Sequence, residues 1–249
     1  PAERAARAAI VAREGGVACG RPWVEAVFAQ VDARVAIAWP VEEGQRVAAD
    51  TILCELTGPA RALCAGERTA LNFLGLLCGV ATATRTHVDA VAGTDAAVLD
   101  TRKTLPGLRA AQKYAVVCGG GRNHRMGLYD AAMLKENHIH AAGGIAAAVR
   151  AVRASQPATP LTVEIESLDQ IEPALTAGAD RLLLDNFGIA DLRRAVAINA
   201  GRAHLEASGG MEATELAAIA ATGVDTVSVG ALTKHVRALD LSMGFRANR

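Results

Sequence analysis

From Ala96 to about Val229, short apolar runs alternate with amphipathic segments, and this alternation constrains the fold more than any other feature of the chain. The runs cover residues 97–100, 132–135, 161–166, 181–185, 204–207 and 226–229. Helical periodicity marks 144–154, 168–177, 189–199 and 213–221 between them. Apolar strands recurring every ~20–30 residues with helices between are repeated βα units. Right-handed crossovers wind such units into a parallel barrel or an open sheet. Fewer than eight strands are visible, so an incomplete or distorted α/β barrel is expected over residues 93–239, with an open sheet as the alternative.

Residues 1–63 follow another pattern. Short β-rich pieces at 35–38 and 51–56 flank the turn signal Glu43-Gly44-Gln45, and 39–47 reads as a twisted hairpin in a small open sandwich. Helical character then begins, over 67–77 and again over 87–92. The expected organisation is an N-terminal open β-sandwich α+β domain over 1–92, with a tail of about 240–249 packing on it. The longest apolar stretch, 69–83, contains Thr69, Asn72 and small residues, and reads as a buried helix, not a membrane span.

Charge narrows the partners. Lys plus Arg and Asp plus Glu each total 26, so bulk binding to nucleic acid or an anionic membrane is not expected, and any basic site must be local. The five cysteines (Cys19, Cys54, Cys64, Cys78, Cys118) include no C-x-x-C pair, which fits reduced thiols in a cytoplasmic protein better than a disulfide scaffold or a zinc site.

The polar residues fall where barrel chemistry needs them. At the carboxyl ends of barrel strands, side chains converge on one mouth. Arg102 and Lys103 follow the first run, Lys135 closes the second, and Asp185 closes the fourth. His124 and Arg125 follow the triple glycine Gly119-Gly120-Gly121. Each cluster alone is matched by a solvated turn or rim. Together they concentrate positive charge in one short stretch of a neutral chain, which predicts a multiply anionic substrate. Strand alternation puts Thr162, Glu164 and Glu166 on one face, and carboxylates opposite a basic cluster suit Mg²⁺ held through substrate phosphates, or ribose hydroxyls. Ser208-Gly209-Gly210 and Gly230 follow late strands and precede helices, the common place for a phosphate.

Six motifs in order carry a resemblance that spans essentially the whole chain. Glu67-Arg68-Thr69-Ala70-Leu71-Asn72, Thr101-Arg102-Lys103-Thr104, Asn123-His124-Arg125, Lys135-Glu136-Asn137-His138, Leu184-Asp185-Asn186-Phe187 and Ser208-Gly209-Gly210 resemble the motif series of the quinolinate phosphoribosyltransferases. Cys78-Gly79-Val80-Ala81-Thr82 stands where that family usually shows Ser-Gly-Ile-Ala-Thr. The resemblance implies an open β-sandwich domain, an incomplete seven-stranded-like barrel and a homodimer in which the sandwich of one subunit faces the barrel of the other. It also implies a helical N-terminal segment ahead of the point where this chain opens, at Pro1.

The implied activity joins quinolinate to phosphoribosyl pyrophosphate and releases pyrophosphate and CO₂, giving nicotinate mononucleotide for de novo NAD biosynthesis. By that resemblance Arg102, His124, Arg125, Lys135 and Arg68 of the partner subunit clamp the two carboxylates. Lys103 and Lys135 lie between carboxylates and pyrophosphate; Glu164 and Asp185 hold Mg²⁺ and ribose hydroxyls. Ser208, Gly209, Gly210 and Gly230 cradle the 5′-phosphate, and no organic cofactor is expected. The alternatives are a molybdate-associated relative, a nicotinate phosphoribosyltransferase, a Schiff-base aldolase through Lys135, and a lipoyl-like carrier. The carrier fails because the first lysine of the chain is Lys103, outside the hairpin region.

Overall fold

The computed structural model describes residues 4–211 and 213–246. Residues 1–3, 212 and 247–249, with the end of the expected tail, lie outside the described residues. In chain order the elements begin with β1 (Ala5–Ala12), β2 (Gly16–Val17), α1 (Arg21–Val31), β3 (Ala36–Ala38), β4 (Arg46–Val47), β5 (Ile52–Pro59) and α2 (Ala60–Ala90). They continue with β6 (Ala97–Leu99), α3 (Arg109–Cys118), β7 (Ala132–Leu134), α4 (Glu136–Ala142), α5 (Ile145–Ser155), β8 (Leu161–Ile165) and α6 (Ile171–Ala177). The last are β9 (Arg181–Asp185), α7 (Ile189–Asn199), β10 (His204–Ser208), α8 (Leu216–Ala220), β11 (Thr226–Ser228), α9 (Ala231–Lys234) and β12 (Leu241–Arg246).

Contacts group the chain into two compact units. The first takes the chain up to Arg85, Leu105–Gly120 and the stretch from Ala231; the second takes Thr86–Thr104 and Gly121–Gly230. The expected division, 1–92 with the tail from about 240 and 93–239 between them, cuts the chain twice, whereas the contacts cut it four times.

In the first unit an antiparallel sheet runs in the order β12-β1-β5-β3. Helix α2 carries a stripe of Leu63, Ala70, Leu71, Leu74 and Cys78, the spacing of one helical face, and packs it with Val24 and Phe28 of α1 against Ala8, Ile10 and Leu56 of the sheet. Each fully buried Leu or Phe contributes about 1.5–3 kcal/mol. The expected 39–47 hairpin does not form. Instead β3 pairs with β5 and β4 pairs with β2, because the eight-residue β5 offers β3 a longer ladder than the two-residue β4. Strand β1 and helices α1 and α3 were not marked in the sequence. Four of the eight residues before Val11 in β1 and its neighbourhood are alanines with weak strand preference, so pairing to β5 and β12 decides its conformation.

The second unit is built on six parallel strands in the order β6-β11-β10-β9-β8-β7. Strand numbers run consecutively from β7 to β11, and the first strand then pairs with the last, as in a barrel. Among the described residues no ladder joins β6 to β7; on that side of β6 there is only an isolated bridge from Leu99 to Arg122. Residues from all six strands and their ends line one cavity, so the sheet is curled and incomplete, not open and flat. Each expected run begins where its strand begins. The expected 213–221 helix shrinks to α8, and 168–170 is a 3₁₀ turn ahead of α6.

Period-two alternation explains the interior. In β9, Leu182 and Leu184 are fully buried, while Leu183 and Asp185 line the cavity. Glu164 of β8, Glu206 and Ser208 of β10 and Ser228 of β11 point the same way. No helix among the described residues is long and apolar enough to cross a membrane.

One glycine gives a test of the α2 packing. A Cβ on Gly79 would stand 2.1 Å from the Arg237 carbonyl oxygen and 3.2 Å from the Ala238 Cα. In an open helix interior Gly→Ala stabilises by about 1 kcal/mol. Here Gly79→Ala is expected to destabilise by ~1–3 kcal/mol in urea unfolding, because backbone must move. A stabilised variant would show that residues 237–238 do not pack on α2.

Candidate active site

At the carboxyl ends of the second unit's strands, Thr101, Arg102, Lys103, His124, Arg125, Met133, Lys135, Glu164, Leu183, Asp185, Glu206, Ser208 and Ser228 enclose about 280 Å³. Eight of these were expected as site residues: Arg102, Lys103, His124, Arg125, Lys135, Glu164, Asp185 and Ser208. Gly209 and Gly210 line a neighbouring groove with Asn186, Gly188 and Ile189, and Ser208 borders both spaces. Gly230 lies against Lys103, where a Cβ would meet the lysine Cδ at 3.1 Å. Arg68 is an exposed residue of α2 in the first unit.

Local structure sets each position. Lys135 ends β7 and opens α4, and its backbone N–H donates to His138 Nδ1 at 3.1 Å. The histidine of the Lys135-Glu136-Asn137-His138 motif therefore caps a helix start, which leaves the Lys135 side chain to the cavity. Its Nζ donates to Glu164 Oε2 at 2.5 Å. Asn186 holds a left-handed φ of 57°, donates to Asp185 Oδ2 at 2.9 Å, and gives its backbone N–H to Ser208 O at 2.9 Å. Asn tolerates that conformation better than most residues. It thus joins the ends of β9 and β10, one carrying Asp185 and the other Ser208.

Beneath the mouth lies a charge network absent from the expected set. Glu206 is wholly buried. Arg181 Nη1 donates to its Oε2 at 2.9 Å, and His124 Nε2 stands 3.3 Å from the same oxygen. The Arg125 backbone N–H donates to His124 Nδ1 at 2.7 Å, so Nδ1 is the acceptor and Nε2 carries the hydrogen that faces Glu206. The His124 backbone N–H in turn donates at 2.8 Å to Asp100 Oδ1, another buried carboxylate. Burial raises the Glu206 pKa, but the hydrogen bonds from His124 and Arg181 outweigh it and hold the carboxyl below its ordinary value. The signal for Glu206 was present in the polar-apolar alternation of His204, Glu206 and Ser208; its partner was not, since Arg181 lies on another strand.

Two guanidinium groups line the same cavity, close enough for their charges to interact. The Arg125 pKa is lowered first by burial and then by the like charge of Arg102, with Asp130 opposing. Arg125 Nη1 donates to Ala131 O at 2.9 Å, which fixes the group while other N–H donors stay available. Cations held close together at the mouth of a cleft favour a ligand with several negative charges.

Known proteins are similar to this chain in sequence and in fold. The profile described as quinolinate phosphoribosyl transferase, N-terminal domain, matches residues 1–78, and that of the C-terminal domain matches residues 80–244. The chain belongs to the quinolinate phosphoribosyltransferase family. It is similar to the nicotinate-nucleotide pyrophosphorylase [carboxylating] of Mycobacterium leprae, at 44% identity over 98% of this chain and 87% of that protein. A Nicotiana tabacum protein named quinolinate phosphoribosyltransferase [decarboxylating] 1b is 36% identical over 98% of the chain and 74% of its own length. Among solved structures, the nicotinate-nucleotide pyrophosphorylase from Francisella tularensis superposes with a TM-score of 0.96 at 43% identity, covering 98% of this chain and 87% of that one. This family member therefore carries both domains of the family, and its barrel has the family fold.

The buried network gives a stability prediction. Glu206→Ala leaves Arg181 without its buried partner and is expected to cost about 3–5 kcal/mol in urea unfolding. Because the folded-state pKa of Glu206 is lowered, its contribution is present above the ordinary value of 4.5 and is lost as pH falls through the folded value. The stability gap between the wild type and Glu206→Gln should therefore narrow below about pH 4. A gap that stays constant down to acid unfolding would remove the carboxylate from this role.

Proposed function

We propose that the cavity transfers the phosphoribosyl group of phosphoribosyl pyrophosphate to the ring nitrogen of quinolinate, with loss of CO₂. The products are nicotinate mononucleotide and pyrophosphate, a step of de novo NAD biosynthesis. What carries the reading is a single cavity holding Arg102, Lys103, Arg125 and Lys135 together with Glu164 and Asp185, in a family whose relatives bear the names given above.

The chemistry divides among these groups. Quinolinate has two adjacent carboxylates, and planar guanidinium forks suit them. Arg102, Arg125 and Lys135 clamp the carboxylates, and His124, with both ring nitrogens turned to protein atoms, completes the wall and orients Arg125. Lys103, braced against Gly230, reaches toward the pyrophosphate. As the ring nitrogen attacks the anomeric carbon, the bond to pyrophosphate breaks, and Glu164 and Asp185 favour the positive charge that develops there. The ring, now quaternised, accepts the electron pair left when the neighbouring carboxylate departs as CO₂, and that carbon then takes up a proton. The substrate is its own electron sink, and the reaction needs no organic cofactor.

The 5′-phosphate fits Ser208, Gly209 and Gly210, whose groove also touches Gly188 and Ile189 at the start of α7. Glu164 and Asp185 supply the hard oxygen donors that Mg²⁺ prefers, and Mg²⁺ bound there, directly or through substrate and water, would offset pyrophosphate charge. A homodimer, with Arg68 of the partner subunit completing the carboxylate clamp, fits the exposed position of this arginine on α2. Five free thiols suit a reducing compartment, and we place the enzyme in the cytoplasm.

The test is an end-point assay with phosphoribosyl pyrophosphate and Mg²⁺, with quinolinate in one tube and nicotinate in the other. CO₂ and nicotinate mononucleotide from quinolinate alone are expected; product from nicotinate alone would overturn the reading. Arg102→Ala and Lys135→Ala should each lose at least about a hundredfold in turnover, the scale of one preorganised electrostatic contact. Near-normal turnover in either would remove that residue from the clamp. If the partner arginine is shared, mixing inactive Arg68→Ala with inactive Lys135→Ala protein should restore activity through hybrid dimers, and no restoration would place Arg68 in its own subunit's chemistry or in none.

A further inference from the structure

Three segments of the first unit converge on two thiols that phosphoribosyl transfer leaves without a role. Cys19 precedes α1 and Cys118 is the last residue of α3. Their sulfurs and one carboxylate oxygen of Glu43 all lie within 4.8 Å of one another. Cys19 is buried and Cys118 is half-buried. In its protonated form the Cys118 thiol donates toward Glu43 Oε2 at 3.7 Å.

Glu43 is already committed. Its Oε1 accepts the backbone N–H groups of Arg21 at 2.6 Å and Gly20 at 3.0 Å, which satisfies two donors at the start of α1. A helix-capping carboxylate is a poor third ligand for a metal, and what remains is a dithiol. Cys78 holds one half of it: its sulfur accepts the Cys19 backbone N–H at 3.3 Å and donates to the Cys19 carbonyl at 3.3 Å.

We propose that Cys118 and Cys19 form a hydroperoxide-reactive pair, in which Cys118 is oxidised first and Cys19 then closes a disulfide with it.

The division of labour follows from where the proton sits. A hydrogen bond from Cys19 is the largest influence on Cys118 and lowers its pKa, against the effects of burial and Glu43, while the Tyr114 hydroxyl lowers it further. The same bond, followed by burial, raises Cys19. Cys118 is therefore the nucleophile and Cys19 the proton holder. Burial pushes both Cys54 and Cys78 up to about 12 and makes them unreactive. A partly exposed thiol of lowered pKa beside a second thiol is the arrangement that redox-sensitive pairs use.

The electron count closes with the peroxide as oxidant. The Cys118 thiolate attacks one peroxide oxygen; an S–O bond forms, the O–O bond breaks, and the other oxygen leaves as hydroxide or alkoxide and is protonated. Cys19 sulfur then attacks the sulfenic sulfur. The S–S bond forms, the S–O bond breaks, and oxygen leaves with the Cys19 proton as water. Two thiols are oxidised by two electrons and one peroxide is reduced. The sulfurs must close to about 2.05 Å.

The experiment treats the reduced full chain with one equivalent of hydrogen peroxide and follows intact mass, free-thiol count and the peptide map. The expected result is loss of two hydrogens and two thiols, with Cys19 linked to Cys118. In Cys19→Ser the reaction should stop at a dimedone-reactive sulfenic acid on Cys118. In Cys118→Ser peroxide consumption should fall at least about tenfold. Exposed Cys64 is the internal comparison. Oxidation of Cys64 ahead of Cys118 in the wild-type chain, or a disulfide joining any other pair, would overturn the proposal; neither reading depends on a variant folding well.

Discussion

A carboxylate without access to solvent must be met by a cation or take up a proton, and much of the second unit is arranged around that requirement at Glu206. Arg181 on β9 and His124 on the loop after Arg122 both reach the same oxygen of this β10 residue. The two central strands of the sheet are thereby tied to the loop whose Arg122 bridges to Leu99 of β6. Asp100, a second buried carboxylate, accepts the His124 backbone N–H just past the end of β6. With its amide and imidazole both occupied, His124 has little freedom, and Arg125, the next residue, inherits that rigidity.

That rigidity is the link to chemistry. Arg125 and Arg102 repel each other, and keeping them adjacent opposes folding unless the backbone around them is held by other contacts. The buried acids supply those contacts, and a doubly charged aromatic acid would relieve the repulsion on binding. The chain is neutral as a whole, so its attraction for anions comes from local placement and not from net charge. The same economy shows at Gly230, where the lack of a side chain makes room for the Lys103 stem.

How much was legible follows from the range of each interaction. The starts of all six barrel strands were readable because apolar runs bounded by turns are a local signal. Eight residues of the cavity lining were readable because barrel geometry places strand ends at one mouth, and the motif order pointed to the same positions. Arg181 was not, because only the pairing of β9 with β10 brings it to Glu206. The missed hairpin had a similar cause: Glu43-Gly44-Gln45 does turn, with Gly44 at φ 79°, but which strands pair depends on partners far along the chain. β12, nearly the whole chain away from β1, completes the same sheet.

By itself the sequence determined the βα repeat, the chemical types at the strand ends and the family, since these depend on neighbours along the chain and on motifs in order. Tertiary structure alone decided which charges share a partner, that α3 groups with the first unit, and that cysteines at 19 and 118 stand together. The physical reason is distance: propensity and periodicity act over a few residues, whereas a buried ion pair or a thiol pair exists only when packing brings remote segments within a few ångströms.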